Sequence, residues 1–578
     1  MSEHATEKIV DTDLVEKKHE TALVKENSET NEDQLSSPVD EDEGRTPTNE
    51  EMKTLRHVSE KIPIRCWLVA IVELAERFSY YGLSAPFQNY MQYDKPKGML
   101  NLSQQGATAL SYFFQFWCYV TPVLGAWVAD TYWGKLNTII AFSLFYTVGI
   151  LILFVTSLPS MSETTALGGF IVAIIIIGIG TGGVKSNVSP LIADQVPKTL
   201  PVIKVLKSGE RVVQDPNVTI QNVFMYFYLM INIGSLSVIA TTELEYNVGF
   251  WAAYLLPFCF FFIAIGALII GRKQYVQLPV SEKVIAKSFK ISFIGLKNKF
   301  NLDVAKPSVS PEMDYPWSDK FVEEVKRAFY ACKVFAFYPL YWVVYGQMLN
   351  NFVSQAAQME THNLPNDILQ AINSIAIIIF IPVCERLVYP FIRRFTPFKA
   401  ITKITMGYMF ATGAMVYAAV LQHYIYSSGP CYDEPLKCAG YEGVPNHVHV
   451  AIQAPAYFLI AMSEIFASIT GLEYAYTKAP VSMKSFITSL FLLTNAIGSA
   501  IGIALSSTSE DPKLVWNYTG LAVSCFLAGT AFWFTFKHYN YREDELNSLD
   551  YVDDNGIPNN NRDLQPITSF AFSGKSIA

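Results

Sequence analysis

Charged residues are scarce in this chain. They make up 16% of its 578 residues, whereas hydrophobic residues make up 51%. Residues 252–271 form a run of twenty without a charge, which is long enough to cross the apolar core of a bilayer as a helix. The amphipathic helices of a soluble enzyme do not contain such runs, and the lack of strict apolar and polar alternation excludes a membrane β-barrel. The chain is therefore predicted to be a polytopic membrane protein.

Comparable runs predict an all-α membrane protein with twelve transmembrane helices in two six-helix bundles. The predicted spans lie near residues 62–91, 108–129, 136–158, 166–184, 219–240, 252–271, 328–349, 369–392, 401–427, 449–472, 485–506 and 515–536. The longest internal hydrophilic segment separates the two sets of six, which is the layout of transporters with a substrate site between two related bundles. The predicted division is a disordered acidic tail at 1–56, an N-terminal bundle at 57–271, a linker at 272–327, a C-terminal bundle at 328–537 and a tail at 538–578.

Lysine and arginine are rare in alternate connections between the predicted helices. The connections with few of them contain Lys95, Lys97, Lys437 and Lys513, whereas the lysine-rich 272–306 stretch falls on the other side. Because short cytoplasmic loops accumulate these residues, both termini are predicted to be cytoplasmic. The N-terminus also lacks the apolar core of a signal peptide, so the first membrane helix should act as the targeting signal.

The acidic N-terminal segment has no apolar periodicity and is expected to be disordered. It contains Lys8, Lys17, Lys18 and Lys25. Two interpretations remain open: these lysines are targets of a ubiquitin ligase that controls turnover, or the segment is a solvated tether.

The chain has only eight cysteines. Six lie in or beside predicted membrane helices, where they are interpreted as packing residues. Cys431 and Cys438 instead lie in a polar loop, about 427–446, that the charge pattern places outside. Because that environment is oxidising, a disulfide between them is predicted.

Three ionisable residues interrupt the first predicted helix. Glu73, Glu76, Arg77 and Tyr80 are spaced i, i+3, i+4 and i+7, which places them on one helix face; Tyr81 is four residues after Arg77 and is expected to brace it. An ionisable residue at the centre of a bilayer costs about 2.5–3.5 kcal/mol on insertion scales, so these residues should face partners or water. Two carboxylates for one arginine indicate a proton-coupled site, although a buried structural ion pair is the simpler alternative.

A lone lysine, Lys185, lies in the fourth predicted helix after a glycine-rich stretch. Gly178, Gly180 and Gly183 have the spacing of a dinucleotide fingerprint, but no strand precedes them and the segment is apolar. The glycines are therefore interpreted as sites where helices approach closely. Lys185 is expected to face a cavity, where it would meet Glu73, Glu76 or an anionic ligand.

These motifs together resemble the proton-coupled oligopeptide transporter (POT) family of the major facilitator superfamily, and most of all its fungal di- and tripeptide permeases. The resemblance covers roughly residues 60–540. The motifs that carry it are Glu73-x-x-Glu76-Arg77-Phe78-x-Tyr80-Tyr81-Gly82, Gly125-Ala-Trp-Val-Ala-Asp130-x-x-x-Gly134, Phe224-x-x-Phe227-Tyr228-Leu229-x-Ile231-Asn232-Ile233-Gly234-Ser235-Leu236, Ser463-Glu464-Ile-Phe-Ala-Ser468-Ile-Thr470-Gly471-Leu472-Glu473 and Ala479-Pro480-Val-Ser482-Met483-Lys484-Ser485.

The resemblance implies a plasma-membrane symporter that imports di- and tripeptides with protons and uses no cofactor besides the proton gradient. Glu73, Glu76 and Lys185 would couple the proton. Arg77 and Lys185 would bind the peptide carboxylate, and Glu464 its ammonium group. The remaining implied residues are Tyr81, Tyr119, Asn232 and Asn373 as contacts to the peptide, Trp342 and Phe491 as the lining of side-chain pockets, and Asp130 and Gly134 at the inner gate.

Three positions depart from the pattern of many relatives. Phe491 stands where tryptophan is common, and Gly346 stands where an acidic residue is common, which puts an outer-gate ion pair of the usual kind in doubt. Lys135 stands where arginine is common, so the positive charge is kept but the bidentate hydrogen bonding of an arginine is lost. Asp130 is still expected to cap a helix or form an ion pair at the inner gate.

Three rival functions remain open from the sequence. A nitrate or other organic-anion carrier would keep the fold but has no use for Glu464. A nutrient receptor would bind dipeptides without transporting them. An intramembrane enzyme is disfavoured, because the eight histidines show no paired metal-ligand spacing and no base lies near a candidate serine nucleophile.

Overall fold

The structure is a computed structural model that describes residues 44–540, except 49, 96, 198–199, 207, 278–283, 300, 396–397, 439, 442 and 479–483. Three predictions therefore concern residues outside the described part: the four tail lysines, the C-terminal tail beyond residue 540 and most of the motif that begins at Ala479.

Helices dominate the described residues. The longer ones are α1 (Ile64–Ser84), α2 (Gln104–Val128), α3 (Gly134–Thr156), α4 (Glu163–Asp194), α5 (Pro216–Ser235), α6 (Ser237–Asn247), α7 (Phe250–Gly271), α8 (Val284–Lys297), α9 (Asp319–Ala331), α10 (Tyr338–Gly346), α11 (Gln370–Val383), α12 (Ala400–Tyr426), α13 (Ala454–Ser463), α14 (Thr470–Lys478), α15 (Lys484–Leu505) and α16 (Leu514–Phe536). We refer to α1–α7 as the N-terminal half and to α10–α16 as the C-terminal half.

Nine stretches of the described residues are helices long and apolar enough to cross a membrane. One of them, Gln104–Thr156, is 53 residues long and contains the second and third predicted spans. Helix α1 is not among the nine, and it carries the three ionisable residues noted above. The predicted total of twelve crossings thus remains an expectation.

In the described part of the chain, three helical segments are wound as π-helices rather than α-helices. They are Ala129–Trp133 between α2 and α3, Cys384–Val388 after α11, and Glu464–Ile469 between α13 and α14. The first ends at Gly134, whose φ of 72° lies in the left-handed region that glycine tolerates. Single π-turns inside helices occur frequently at functional sites.

Glycines bring α2, α3 and α4 into close contact. A Cβ atom at Gly125 of α2 would lie 2.6 Å from the carbonyl oxygen of Gly182 in α4. A Cβ atom at Gly183 would lie 2.0 Å from the ring of Phe142 in α3. The glycines of α4 therefore serve helix packing, as the sequence predicts.

The two halves are joined by hydrogen bonds at the end that carries the disulfide loop, which we call the outer end. The Tyr112 hydroxyl of α2 accepts a hydrogen bond from Gln347 Nε2 (2.6 Å) and donates one to the Val343 carbonyl (2.9 Å). The Ser354 hydroxyl donates to Gln92 Oε1 (2.6 Å). We call this set, Gln92, Tyr112, Val343, Gln347 and Ser354, the outer closure.

The described residues of the predicted linker are folded. Trp317 and Val322 are buried in the same apolar core as residues of α10 and α12, and Trp317 Nε1 donates a hydrogen bond to the Ala305 carbonyl (2.8 Å). Its charged residues pair locally, as Lys326 does with Asp303 (2.8 Å).

Residues 44–58 and 200–215, as far as the structure describes them, form a separate compact unit. It contains a three-stranded sheet of β1 (Arg56–Val58), β2 (Val202–Val205) and β3 (Arg211–Gln214), in the order β1-β3-β2. Strand β1 is parallel to β3, with Arg56 opposite Val212, and β2 is antiparallel to it. The expected disorder of 1–56 is therefore wrong for residues 44–56, because this short polar segment pairs with a strand far away in the sequence.

A second small sheet lies beside the disulfide loop at the outer end. It pairs β4 (Met359–Glu360) with β5 (Asn446–His449) in parallel. Cys431 and Cys438 form the disulfide that the sequence predicts, with their Cα atoms 5.4 Å apart. Asn446 supports this loop, because its amide nitrogen donates to the carbonyls of Ile425 (2.8 Å) and Tyr432 (2.9 Å).

Candidate functional site

Glu73, Glu76 and Arg77 form a buried charge cluster on α1, which we call the α1 cluster. Their exposed fractions are 6%, 0% and 5%. Arg77 Nε lies 3.3 Å from Glu73 Oε1, and the Arg77 guanidinium also pairs with Glu76. Glu76 Oε1 is buried with no hydrogen-bond partner in the described residues. Both carboxylates therefore bind the same arginine, and one carboxylate oxygen remains available for a proton.

An aromatic ring also supports Arg77. The guanidinium carbon lies 5.2 Å from the centre of the Tyr80 ring, within the range of a cation–π interaction. The sequence assigned this bracing to Tyr81, which is one residue further along. Tyr81 forms a T-shaped contact with Tyr80, with the ring centres 5.4 Å apart, and it interacts with Arg77 electrostatically.

Lys185 lies on aromatic ring faces and not on a carboxylate. Its Nζ atom is 3.7 Å from the centre of the Tyr119 ring and 5.8 Å from that of Tyr80. Within the described residues it forms no ion pair, so the expected direct contact with Glu73 or Glu76 is absent, although both carboxylates interact with its charge at longer range. Lys185 is thus a cation positioned by π faces and able to accept an anionic partner.

Glu464 lies in the C-terminal half, at the first residue of the π-helix Glu464–Ile469. Asn373 Nδ2 of α11 donates a hydrogen bond to Glu464 Oε2 (3.3 Å), and the Tyr345 hydroxyl is a second hydrogen-bonding partner. Asn373 is only 5% exposed, and its own Oδ1 atom has no partner in the described residues. The structure therefore brings together two of the residues implied by the family resemblance.

Arg77 of the N-terminal half and Glu464 of the C-terminal half act on the same two tyrosines. Tyr81 and Tyr119 each interact electrostatically with both Arg77 and Glu464. Tyr345, which contacts Glu464, also interacts with Tyr81 and Tyr119. The arginine and the glutamate thus lie near the same group of tyrosines from the two halves.

Trp342 and Phe491 belong to an aromatic cluster of the C-terminal half. Their ring centres are 5.7 Å apart, and Trp342 lies 5.5 Å from Tyr345. Trp342 Nε1 donates to the Thr494 hydroxyl (3.0 Å). Both rings are mostly buried in this packing, and Tyr345 connects them to Glu464.

Two further residues singled out in the sequence, Asn232 and Lys135, have local contacts of their own. Asn232 uses its amide nitrogen to bond the Tyr228 carbonyl of its own helix (2.8 Å), and its implied contact with a peptide stays a prediction. Asp130 forms no hydrogen bond or ion pair with another described residue, and Lys135 pairs instead with Asp194 (2.5 Å). The expected capping or pairing of Asp130 is therefore not formed, because α4 supplies the carboxylate that reaches the lysine.

Two features of the site were missed in the sequence. Tyr345 was not identified as a partner of Glu464, although its position three residues after Trp342 places both on one face of α10. The π-helix at Glu464 leaves no residue pattern that distinguishes it from an α-helix, so only the backbone reveals it.

Comparisons with known proteins point to one family. The sequence matches the POT family over residues 136–522. It is 71% identical over 532 residues to "Peptide transporter PTR_C" of Candidozyma auris, covering 92% of this chain and 93% of that relative. It is 64% identical over 524 residues to "Peptide transporter PTR2" of Saccharomyces cerevisiae, covering 90% and 86%. The fold is similar to the crystal structure of the POT family transporter PepTSo, with a TM-score of 0.66 at 22% identity over 84% of this chain and 99% of that chain.

Proposed function

This chain belongs to the POT family, and from this premise we propose that it imports di- and tripeptides together with protons by alternating access. The observation that carries the proposal is the placement of Arg77 and Lys185 in one half and Glu464 in the other, all three of which interact with Tyr119. A zwitterionic peptide carries a carboxylate and an ammonium group, so it fits between a pair of cations and an anion.

The fixed charges also limit the length of the substrate. An extended chain spans about 3.3–3.6 Å per residue, so charged groups at a fixed separation select peptides within a narrow range of lengths. Side chains of the peptide would contact aromatic groups such as Trp342 and Phe491, which pack without directed bonds and therefore tolerate varied side chains. We infer a preference for two or three residues with little selectivity for their side chains.

Proton coupling is assigned to the α1 cluster. A proton on Glu73 or Glu76 removes one of the two charges that hold Arg77, which makes the guanidinium available to the peptide carboxylate. Lys185, which has no ion-pair partner in the described residues, is ready for the same carboxylate. Glu464 would then bind the ammonium group and draw the two halves together.

The proposal also includes a topology. Twelve helices in two bundles would place both termini in the cytoplasm and the outer closure on the external face of the plasma membrane. A proton that moves down a potential of about 100 mV releases about 2.3 kcal/mol, and about 1.4 kcal/mol corresponds to a tenfold concentration ratio. One proton per peptide is thus sufficient for strong accumulation.

The N-terminal tail is a proposed target of a ubiquitin ligase through its lysines. Deleting residues 1–43 should then lengthen the surface half-life of the transporter without changing its affinity for peptides. An unchanged half-life would leave the tail as a solvated tether.

Competition experiments test the substrate class. Uptake of a labelled dipeptide should be inhibited by unlabelled di- and tripeptides, and not by single amino acids, tetrapeptides or nitrate, at each of two external pH values. Equal inhibition by nitrate would indicate an anion carrier, and saturable binding without counterflow would indicate a receptor.

Charge-neutral variants test the coupling step. Glu73→Gln or Glu76→Gln should abolish uptake driven by a pH gradient while peptide exchange continues, because exchange does not require net proton movement. Glu163→Gln is the matched control, since Glu163 is an exposed acid at the start of α4. Full gradient-driven uptake by both α1 variants would refute the assignment.

A further inference from the structure

One histidine joins two segments of the small three-stranded unit that are far apart in the sequence. The Nδ1 atom of His57, in β1, lies 2.8 Å from Oδ2 of Asp215, the residue directly after β3. Its Nε2 atom lies 2.8 Å from the carbonyl oxygen of Met52. Asp215 is buried and His57 is partly buried. Both nitrogen atoms of the imidazole ring thus face an oxygen atom at hydrogen-bond distance.

These two contacts determine how many protons the site holds. A carbonyl oxygen only accepts hydrogen bonds, so Nε2 must carry a hydrogen, and an ionised Asp215 only accepts them, so Nδ1 must carry one as well. A neutral imidazole has a hydrogen on only one of its nitrogen atoms. Assigning the proton of the Nδ1 contact to the carboxyl group leaves the total unchanged. The site therefore holds one proton more than a neutral histidine beside an ionised aspartate.

The remaining charges of the unit stay constant near neutral pH. Its other charged side chains that the structure describes are Arg45, Glu50, Glu51, Arg56, Lys204, Glu210 and Arg211. Arg56 pairs with Glu210 (2.9 Å). Arg211 pairs with Glu51 (2.8 Å). Acids, lysine and arginine ordinarily keep their charges between about pH 6 and about pH 8, whereas histidine changes its charge there. His57 is thus the described group of this unit that responds to pH in that range.

His57 lies where the N-terminal segment pairs with the loop between α4 and α5. The segment contacts this loop at both ends, because the Gly44 amide donates to the Ile203 carbonyl (2.9 Å) and the Asp215 amide donates to the Val58 carbonyl (2.9 Å). We call the state with these contacts the docked state. When the proton is lost, either Asp215 or the Met52 carbonyl loses its donor, and the ion pair loses its positive charge. The docked state is therefore weakened.

We propose that His57 and Asp215 form a cytoplasmic proton-binding site that docks the N-terminal segment on the loop between α4 and α5. The proposal rests on the proposed symport and topology, in which both termini are cytoplasmic, but its proton is not transported. The loop connects α4, which carries Lys185, to α5. A proton symporter delivers protons to the cytoplasm, so the site binds one as transport proceeds and restrains this connection.

The sign of the pH dependence follows from the contacts. Loss of the proton removes a hydrogen bond from the docked state, whereas in the released segment water replaces both partners of the histidine. Acidification therefore favours docking. Docking weakens as the pH rises through the range in which histidine loses its charge.

Hydrogen exchange of backbone amides tests the proposal in the purified full-length protein. The protection of amides in residues 56–58 and 211–215, corrected for the intrinsic exchange rate at each pH, measures the ratio of docked to released segment even where the released form is rare. This protection should fall roughly tenfold between about pH 6 and about pH 8, because one proton is lost from the site. Protection that is unchanged, or that rises, would overturn the proposal without further variants.

Two neutral variants locate the proton. In His57→Gln the side chain does not titrate. In Asp215→Asn the amide nitrogen supplies a hydrogen to Nδ1, so a neutral His57 keeps both contacts. The protection of the same amides should therefore lose its pH dependence in both variants. His447→Gln is the matched control, because His447 bonds Glu360 at the outer end, and it should behave like the parent. Parental pH dependence in His57→Gln or in Asp215→Asn would place the proton elsewhere.

Transport measurements separate this proposal from the proposed function. Failure of the parent to accumulate dipeptide with protons would refute the symport, whereas the protection of the amides would still decide whether the site binds a proton. His57→Gln should retain the parental proton-to-peptide stoichiometry, because the proton of this site is not transported. A lower stoichiometry in this variant would contradict the proposed role.

Discussion

Arg77 is constrained more tightly than any other charged residue of the candidate site. Two carboxylates and the face of Tyr80 surround its guanidinium, so it cannot bind a substrate carboxylate strongly without losing one of these contacts. Lys185 differs, because its contacts are rings that attract a cation without neutralising it. We therefore expect separate roles for the two cations: Arg77 would respond to protonation, and Lys185 would be available throughout.

The Tyr119 ring is predicted to position Lys185 through its π face. Tyr119→Leu removes that face, and because a desolvated cation–π contact contributes about 2 kcal/mol, the KM for dipeptide uptake should rise roughly tenfold or more. Tyr119→Phe keeps the face, so its KM should stay near the parental value. Initial rates of dipeptide uptake measure both. Equal losses in the two variants would mean that the hydroxyl group, and not the ring, is the important part of Tyr119.

Single residues of the site could be predicted where charge in an apolar helix identified them. Glu73, Glu76, Arg77 and Lys185 needed only the cost of an unpaired charge in lipid. Their partners could not be predicted in the same way, because the choice between Tyr80 and Tyr81 depends on side-chain rotation. The choice of Asp194 over Asp130 for Lys135 depends on how α4 packs.

At the scale of helices, a change of winding accompanies several of the polar residues. The π-helix that starts at Glu464 adds a residue to one turn, which alters the face on which the following residues lie. The other two π-helices contain Asp130 and Arg386, one in each half. A change of winding therefore occurs at ionisable residues in both halves.

Gly125 is predicted to be indispensable for the contact between α2 and α4. In Gly125→Ala the new methyl group would lie 2.6 Å from backbone atoms of Gly182 and Gly183, which cannot rotate away as a side chain can. Overpacking of this kind costs about 1–3 kcal/mol, so the temperature at which the purified protein loses its monodisperse elution peak should fall clearly.

The matched control for this change is Gly168→Ala on α4. A Cβ atom there would contact nothing within 4 Å, and alanine favours the helix over glycine by about 1 kcal/mol in water. Its thermal stability should remain equal or rise slightly. A similar loss in both variants would attribute the effect to general disturbance of the helices and not to close packing.

At the scale of the whole molecule, the sequence predicted the class of fold from helix length and charge alone. The structure departs from the sequence-based prediction where residues that are far apart in the sequence contact each other. The sheet formed by Arg56–Val58 with Arg211–Gln214 is one case, and the folding of Trp317 into the core of the C-terminal half is another. Neither segment has a periodic pattern strong enough to reveal a partner far along the chain, so periodicity could not predict them.

The outer closure should determine how the molecule divides its time between its two open states. Tyr112→Phe removes the hydroxyl that bonds both Gln347 and the Val343 carbonyl. Each of the two buried hydrogen bonds contributes about 0.5–1.5 kcal/mol, so the loss of both should lower the ratio of closed to open outer ends roughly fivefold or more. Distances between spin labels attached through Thr164→Cys and Lys513→Cys, two exposed positions in the two halves, measure this ratio.

Tyr338→Phe is the control that separates closure from general stability. Tyr338 is as deeply buried as Tyr112, but its hydroxyl donates to the Ala467 carbonyl within the C-terminal half (2.7 Å). Its loss should lower thermal stability and leave the distance distribution at the outer end unchanged. If Tyr338→Phe opened the outer end as much as Tyr112→Phe, the balance between the states would depend on the rigidity of the C-terminal half. The hydrogen bonds between the halves would then not determine the ratio of closed to open outer ends.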